Sequence, residues 1–449
     1  MSQTSNKEIK LFNHQQSAVE RFKEKSQILA HEMGLGKTIT SAFIGKGERS
    51  LVVCPAKLKK SWVAELKKIG EEDIQVVQTG KDDIEDAMWV IVSYDIALKI
   101  VDKLRAQNFK HLFGDESHYI KGKCTIKKDG TITGTKRAGA FLLLAEAIPH
   151  KILTTGTPVM NKPIELWNQL VAVDAQITKE MARSSFSKIY CGGHLKQMGY
   201  LRFWWENGAN RLDELKEKIA GDVDIVRKLE VLDLPEKVIN RRVIEFTAEE
   251  QKEYDGEWDR YVAWIEANPD YSEKDIQNVV GAKQLVEMQK LQQITSRAKV
   301  NAVIEDLDNL APDEQVVIFA KFVKTIETLN EAIKKKAQKQ KKDGEGHVLS
   351  FATLKTEGSV EDFQQGKVQI LTSNIVAGGT GLNLQNANQV WIIDEDWVPA
   401  INQQAEDRIY RIGQGKTAFI TYYEVFGTVD EDVREAVKRK RKVISKIMD

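Results

Sequence analysis

Nine consecutive residues, Ala30-His31-Glu32-Met33-Gly34-Leu35-Gly36-Lys37-Thr38, limit this chain more than any other stretch. The apolar run Ile28-Leu29-Ala30 leads in, and a helical pattern leads out from Thr38. Strand, glycine turn and helix in that order form the context of a phosphate-binding loop. Gly34 and Gly36 let the backbone curl so that N–H groups point at phosphate oxygens. The helix N-terminus beneath adds partial positive charge. Lys37 is placed to reach the β- and γ-phosphates of ATP, and the Thr38 hydroxyl to ligate Mg²⁺. His31 stands where the strict G-x-x-x-x-G-K-[ST] pattern has its first glycine. The loop alone therefore leaves open a plain helix cap beside a surface lysine.

Downstream, apolar runs at 51–54, 74–78, 89–93, 111–114 and 151–154 read as strands, with helical patterns at 58–69, 96–106 and 137–147 between them. Such alternation predicts a parallel sheet covered on both faces. The alternation returns late in the chain. Strands are expected at 315–320, 347–351, 368–372, 389–393 and 418–425, and helices at 324–339, 400–411 and 430–448. Between the halves, from Glu165 to Leu310, helix formers, charges and aromatics dominate. Trp204, Trp205, Trp258 and Trp264 are expected in the core of a helical insertion. The linker is placed around 226–235, where Leu234-Pro235 breaks the pattern. The expected fold is α/β, with a first lobe at 1–225 and a linker, helical protrusion and second lobe at 226–449. Segment 125–133 is a hairpin signature around Asp129-Gly130, basic at its tip. A solvated surface hairpin is the simpler reading and a DNA-touching one the alternative. The lysine tract 334–342 and the cluster 438–442 read as solvated faces on the same grounds.

Asp115-Glu116-Ser117-His118 closes an apolar strand with two adjacent carboxylates. Ligands of parallel sheets bind at that edge. Asp115 is suited to the water shell of Mg²⁺, and Glu116 to orienting and deprotonating an attacking water. Thr154-Thr155-Gly156-Thr157, at another strand end, carries hydroxyls suited to sensing a γ-phosphate. Arg408 and Arg411 are three apart, so a helix would project both from one face, suited to neutralising phosphate charge that develops during transfer. They lie in a different half from Lys37, so hydrolysis would demand closure of the halves. The stretch from Thr372 through Asn374 and Gly378 to Leu384 has glycines and small polar groups suited to a nucleic-acid backbone.

Taken together, the set resembles helicase superfamily two, and within it the SWI/SNF-type (sucrose-non-fermenting-two) ATPases, over nearly the whole chain. Glu32-Met33-Gly34-Leu35-Gly36-Lys37-Thr38, the DEAH-box-like quartet 115–118, Ala377-Gly378-Gly379-Thr380-Gly381-Leu382, Asp396-Trp397-Val398-Pro399 and Arg408–Gln414 carry the resemblance. It implies two RecA-like lobes in tandem, with Gln15, Met33, Leu35, Gly379 and Gln404 at the nucleotide. It also implies DNA contacts through Pro55, Lys57, Trp62, Ser93, Tyr94, Thr372, Asn374, Gly378 and Trp397. A narrower likeness, through residues 115–118, Gly156-Thr157-Pro158-Val159-Met160, Tyr190-Cys191 and Gly208-Ala209-Asn210, is to the HARP-type annealing-helicase branch. His31 replaces the family's usual acidic residue, Phe12-Asn13 replace its Arg-Pro, and no arginine motif falls between 347 and 363. The implied activity is ATP-driven movement along double-stranded DNA, branched or forked DNA included. A strand-separating or RNA-driven helicase and an ATP-switched DNA clamp are the competing readings.

The 66 basic and 66 acidic residues cancel, so attraction to a polyanion must come from local patches. Three scattered cysteines give no disulfide or zinc framework, and no apolar run reaches the roughly 18 residues of a membrane span. A monomeric motor without accessory domains is expected, cytoplasmic in a bacterial or phage-infected cell and nuclear in a eukaryote.

Overall fold

The computed structural model describes residues 9–23, 25–198, 201–266, 280–344, 347–354, 356–378 and 382–448. The chain divides into two compact units. The first comprises 1–195, 204–233 and 442–449; the second comprises 196–203 and 234–441. Strands are numbered along the chain: β1 Gln27–His31, β2 Ser50–Cys54, β3 Ile74–Val76, β4 Trp89–Ser93, β5 His111–Asp115, β6 Cys124–Ile126, β7 Ile132–Gly134, β8 His150–Thr154, β9 His194–Met198, β10 Leu201–Trp205 and β11 Val223–Val226. Then follow β12 Lys237–Ile244, β13 Val316–Ala320, β14 Phe351–Thr353, β15 Ile370–Asn374, β16 Gln389–Ile392 and β17 Ala418–Val425.

The first unit is built on a parallel sheet in the order β11-β1-β8-β5-β2-β4-β3. Its middle strands are buried along their length, which is why they read as unbroken apolar runs. One face is filled by Phe22, Leu29, Trp62, Trp89 and Phe113, the other by Val53, Val92, Leu112, Phe141 and Leu153. Packing there is close: a Cβ on Gly114 would lie 2.6 Å from the Phe141 ring and 2.7 Å from Leu153 Cδ2. The expected helix at 96–106 is two short helices, Tyr94–Lys99 and Val101–Arg105, broken at Ile100. β6 and β7 form the expected antiparallel hairpin. Trp204 and Trp205 lie on β10 of a two-stranded ribbon rather than in a helix, and the Trp204 indole donates to Ser187 Oγ at 2.8 Å. The side chain of Trp264 lies outside the described residues.

The second unit carries a parallel sheet in the order β12-β17-β16-β13-β15-β14. The helix Val280–Asp306 brings Lys299 into its interior, where Nζ meets Asp430 Oδ2 at 2.7 Å and donates to the Ile393 carbonyl at 3.0 Å. Glu406, 2% exposed, is bound by Lys237, by Arg441 at 3.1 Å and by the Tyr422 hydroxyl at 2.5 Å. The second half differs from expectation at three places, the first being the strand β12, which the pattern does not mark. Residues 347–350 are not strand, and the helix expected to end at 411 is Pro399–Glu406. The C-terminal helix Val429–Met448 starts in the second unit, and its last residues, Val443, Ile444, Ile447 and Met448, pack into the core of the first. Among the described residues no helix is long and apolar enough to cross a membrane. Cys54, Cys124 and Cys191 are free thiols.

Burial pushes the Glu406 pKa up, but Lys237 and Arg441 outweigh it and hold the carboxyl below its ordinary range. The carboxylate therefore stabilises the fold above its unfolded pKa of about 4.3, and that stabilisation fades as pH falls through the lower folded value. Glu406→Gln is expected to cost about 1–3 kcal/mol near neutral pH, because two half-buried cations and the Tyr422 hydroxyl lose a charged partner. Denaturant unfolding as a function of pH should show a smaller acid-side loss of stability in the variant than in the parent.

Candidate nucleotide site

Because β1, β8 and β5 are neighbours running the same way, the loops that follow them emerge side by side at one sheet edge. After β1, Gly34 (φ 83°) and Gly36 (φ 73°) adopt the left-handed conformation that a side chain would strain. A Cβ on Gly36 would collide with Gln15 Nε2. The helix Lys37–Ile44 starts directly behind this turn. Lys37 Nζ bonds the loop's own carbonyls, His31 O at 2.9 Å and Glu32 O at 3.2 Å. Gln15 braces the loop from outside: Nε2 donates to Leu35 O at 3.1 Å, while Oε1 accepts from Phe12 N at 3.0 Å. Beside it lies a cavity of about 530 Å³, lined by Lys10–His14 with Glu230 and Val231. Glycine curl, lysine and open flank fit a nucleoside triphosphate.

His31 is fully buried, and its Nε2 lies 2.7 Å from Asp224 Oδ2, while Arg21 binds Asp224 Oδ1 at 2.9 Å. Burial lowers the His31 pKa, against the opposing pull of Asp224. The histidine that replaces the family's usual acidic residue thus adds a buried side-chain contact between β1 and the edge strand β11.

Asp115 ends β5 with its carboxylate surrounded by donors. Trp62 Nε1 reaches Oδ2 at 2.8 Å; Thr154 Oγ1 and Glu116 N reach Oδ1 at 2.8 and 3.0 Å. The Tyr94 hydroxyl holds the Asp115 backbone carbonyl at 2.9 Å. Burial, and then the charge of Glu116, push the Asp115 pKa up, so a cation beside the pair is electrostatically favoured. Glu116 sits at φ 52°, a left-handed backbone at a non-glycine residue, the kind of strain that gathers at functional sites. Its Oε2 lies 3.3 Å from His118 Nδ1, which is 3.3 Å from Thr155 Oγ1. Thr155 Oγ1 accepts from Thr157 N at 3.1 Å, so the contacts reach into the loop after β8. In that loop a Cβ on Gly156 would lie 2.7 Å from Met33 Cγ and 3.4 Å from Lys37 Nζ. Lys37, Asp115, Glu116 and the loop 154–157 are thus brought together.

Several side chains expected at DNA are turned inward. Trp62 is fully buried and Tyr94 3% exposed, and both position Asp115 rather than face outward. Ser93 is buried and caps the helix Tyr94–Lys99 through Ile96 N. Pro55 is buried, whereas Lys57 is exposed. In the second unit Thr372 is buried, its hydroxyl donating to Asn330 Oδ1 at 2.8 Å. Asn374 caps the following turn through Val376 N and Ala377 N. Gly378 lets that turn pack, since a Cβ would lie 2.6 Å from Phe319. Trp397 is half-buried, its indole on Gln292 Oε1 at 3.2 Å. Gly379 lies outside the described residues.

Arg408 and Arg411 follow the helix Pro399–Glu406 instead of sharing its face. They converge all the same, because the NH1 of each donates to the Leu382 carbonyl, at 3.0 and 2.9 Å. Gln404 is buried, with Nε2 lacking a hydrogen-bond partner. The role of Trp62 has no signal in the sequence, since 53 residues separate it from Asp115.

Residues 14–300 match the SNF2-related domain, and residues 298–413 match the helicase conserved C-terminal domain. The chain is 29% identical over 435 residues to the DNA annealing helicase and endonuclease ZRANB3 of Bos taurus, covering 93% of this chain and 38% of that protein. It is 29% identical over 436 residues to the SWI/SNF-related matrix-associated actin-dependent regulator of chromatin subfamily A-like protein 1 of Xenopus laevis, covering 94% of this chain and 42% of that protein. The chain thus spans about two-fifths of the length of these relatives. The Sulfolobus solfataricus SWI2/SNF2 ATPase core in complex with dsDNA aligns at 21% identity with a TM-score of 0.44, covering 98% of this chain and 93% of that one. On the two domain matches, in order and spanning residues 14–413, the chain belongs to the SNF2-related family of helicase superfamily two ATPases.

Proposed function

We propose that this protein is a DNA-dependent ATPase that moves along double-stranded DNA, forked DNA included. The observation that carries the reading is the convergence of Lys37, Asp115, Glu116 and Gly156 on adjacent strand ends. Lys37 and the 33–38 amides bind the triphosphate, and the cavity beside Gln15 takes its base. Glu116 orients the attacking water and accepts its proton, held in place by its strained backbone and the His118 contact. Thr38 and Asp115 would hold Mg²⁺, which when bound neutralises phosphate charge. Arg408 and Arg411, gathered by one carbonyl in the second unit, complete the site when the units close. Closure and release then become the stroke on DNA. The motor is read as a monomer, working in the nucleus of a eukaryote or the cytoplasm of a bacterial or phage-infected cell.

ATP turnover should be weak alone and rise strongly with duplex, compared with single-stranded and forked DNA; turnover indifferent to DNA removes the reading. Displacement of a short labelled strand would favour strand separation instead. Glu116→Gln should lower turnover by about 10²–10⁴-fold while ATP still binds. Alanine at Arg408 or Arg411 should lower kcat by about 10³–10⁵-fold with ATP affinity of the free protein little changed. Trp62→Phe loses a hydrogen bond to a buried carboxylate, worth about 1.5–3 kcal/mol. It should lower kcat more than it raises KM for ATP.

A further inference from the structure

The helix Trp167–Ala172 carries none of the residues used above, yet it holds two of the loops that form the site. Trp167 and Leu170 anchor it in the core of the first unit, with the Trp167 and Phe186 ring centroids 5.2 Å apart. Gln169, on the same helix, is fully buried and bonds in two directions. Its Nε2 donates to Pro158 O at 2.8 Å, in the loop after β8, and to Glu165 O at 3.1 Å. Its Oε1 accepts from the Ser117 hydroxyl at 2.7 Å. Ser117 is also fully buried and directly follows Glu116. The two carbonyls can only accept, so they fix which way the amide faces, and the hydroxyl must then donate.

Both ends of this bridge adjoin groups that hydrolysis needs. Glu116 takes φ 52°, a backbone that persists at a non-glycine residue only where its surroundings over-determine it. The turn Ser117–Ile120 behind it is held by the same helix: Gln169 holds Ser117, and Asn168 Nδ2 donates to Ile120 O and Gly122 O, both at 2.7 Å. At the other end, Pro158 lies two residues beyond Gly156, where a Cβ would sit 3.4 Å from Lys37 Nζ. Glu165 closes that loop by accepting from Met160 N and Asn161 N, both at 2.9 Å. The direct link between the two loops, His118 Nδ1 to Thr155 Oγ1, is 3.3 Å long, so the shorter bonds of Gln169 are the firmer tie.

Resting on the ATPase reading above, we propose that Gln169 is a positioning residue for hydrolysis, acting through Ser117 on Glu116. It touches no reacting atom. It sets the turn that carries Glu116 against the loop after β8, and so against the phosphates at Lys37. A misplacement of about 1 Å at a reacting group costs about 10²-fold in rate. Among the described residues Gln169 makes no hydrogen bond to the loop after β1, which holds ATP in this reading. Its loss therefore acts on kcat rather than on KM.

The test is steady-state ATP turnover of the full chain with saturating duplex DNA, scored per folded molecule, for Gln169→Met, Ser117→Ala and the double variant. Methionine keeps the length of the side chain and removes all three hydrogen bonds. Gln169→Met should lower kcat by about 10–100-fold while KM for ATP changes by less than about threefold. Ser117→Ala cuts one arm only and should lower kcat by about 3–10-fold. The double variant should be no slower than Gln169→Met alone, because the two residues act through one bond. A side chain that only supports the fold would lower the unfolding midpoint and leave kcat of the folded molecules unchanged, and that result overturns this proposal alone. So does a rise in KM that matches the fall in kcat, or a double variant in which the two losses multiply. Should Gln169→Met fail to fold, Ser117→Ala decides: a lower kcat at constant KM supports the bridge, and an unchanged kcat overturns it. A parent without DNA-dependent ATP turnover would overturn the proposed function, and this inference with it.

Discussion

A carboxylate buried at the end of a strand must have its oxygens satisfied, and Asp115 meets that demand with three donors, while Tyr94 holds its backbone carbonyl. Trp62 comes from the helix after β2, Thr154 from β8, Tyr94 from the end of β4, and the amide from Glu116 itself. Oδ2 depends on Trp62 and the backbone carbonyl on Tyr94, while Oδ1 is shared by Thr154 and the Glu116 amide, so these segments are tied to one another through Asp115. That constraint places Glu116, and through His118 and Thr155 it extends to the loop that touches Met33 and Lys37. Precision at the phosphate site is a consequence of satisfying one charge.

The second unit solves a related problem differently. Its buried anions, Asp394, Glu406 and Asp430, are matched by lysines and arginines, with Asp394 also bonded by Ser296 and the Lys321 amide. Breaking such pairs is costly, and they hold the strand ends in register. The arginine pair sits just beyond this framework, in a turn where both side chains share the Leu382 carbonyl. Arg408 is buried and also bonds the Gln404 carbonyl at 2.9 Å.

Much of this is legible in the sequence, and the failures have physical causes. Buried central strands announce themselves as apolar runs, and those runs mark the strand-end motifs of the first unit. Two edge strands do not: β11 and β12 escape the pattern because half-exposed edges tolerate Asp224, Arg241 and Arg242. The order β1-β8-β5, on which the site depends, is a long-range pairing that periodicity cannot reveal. Motif residues that read as DNA contacts, Trp62, Tyr94 and Thr372, are buried, because spacing shows that a residue matters before it shows which way its side chain turns. The pattern overextends the helix before Arg408 by five residues, since the turn after Glu406 lacks a glycine or proline to mark it.

If hydrolysis at the Asp115–Glu116 edge drives travel, movement itself is the decisive observable. The direct measurement is displacement of a third strand from a triplex-bearing duplex as a function of time with ATP, with ADP, and with the Glu116→Gln protein. Release of the third strand only with ATP and only by the parent protein is the predicted result. A protein whose ATP turnover rises with duplex DNA but which leaves the third strand in place would contradict the account.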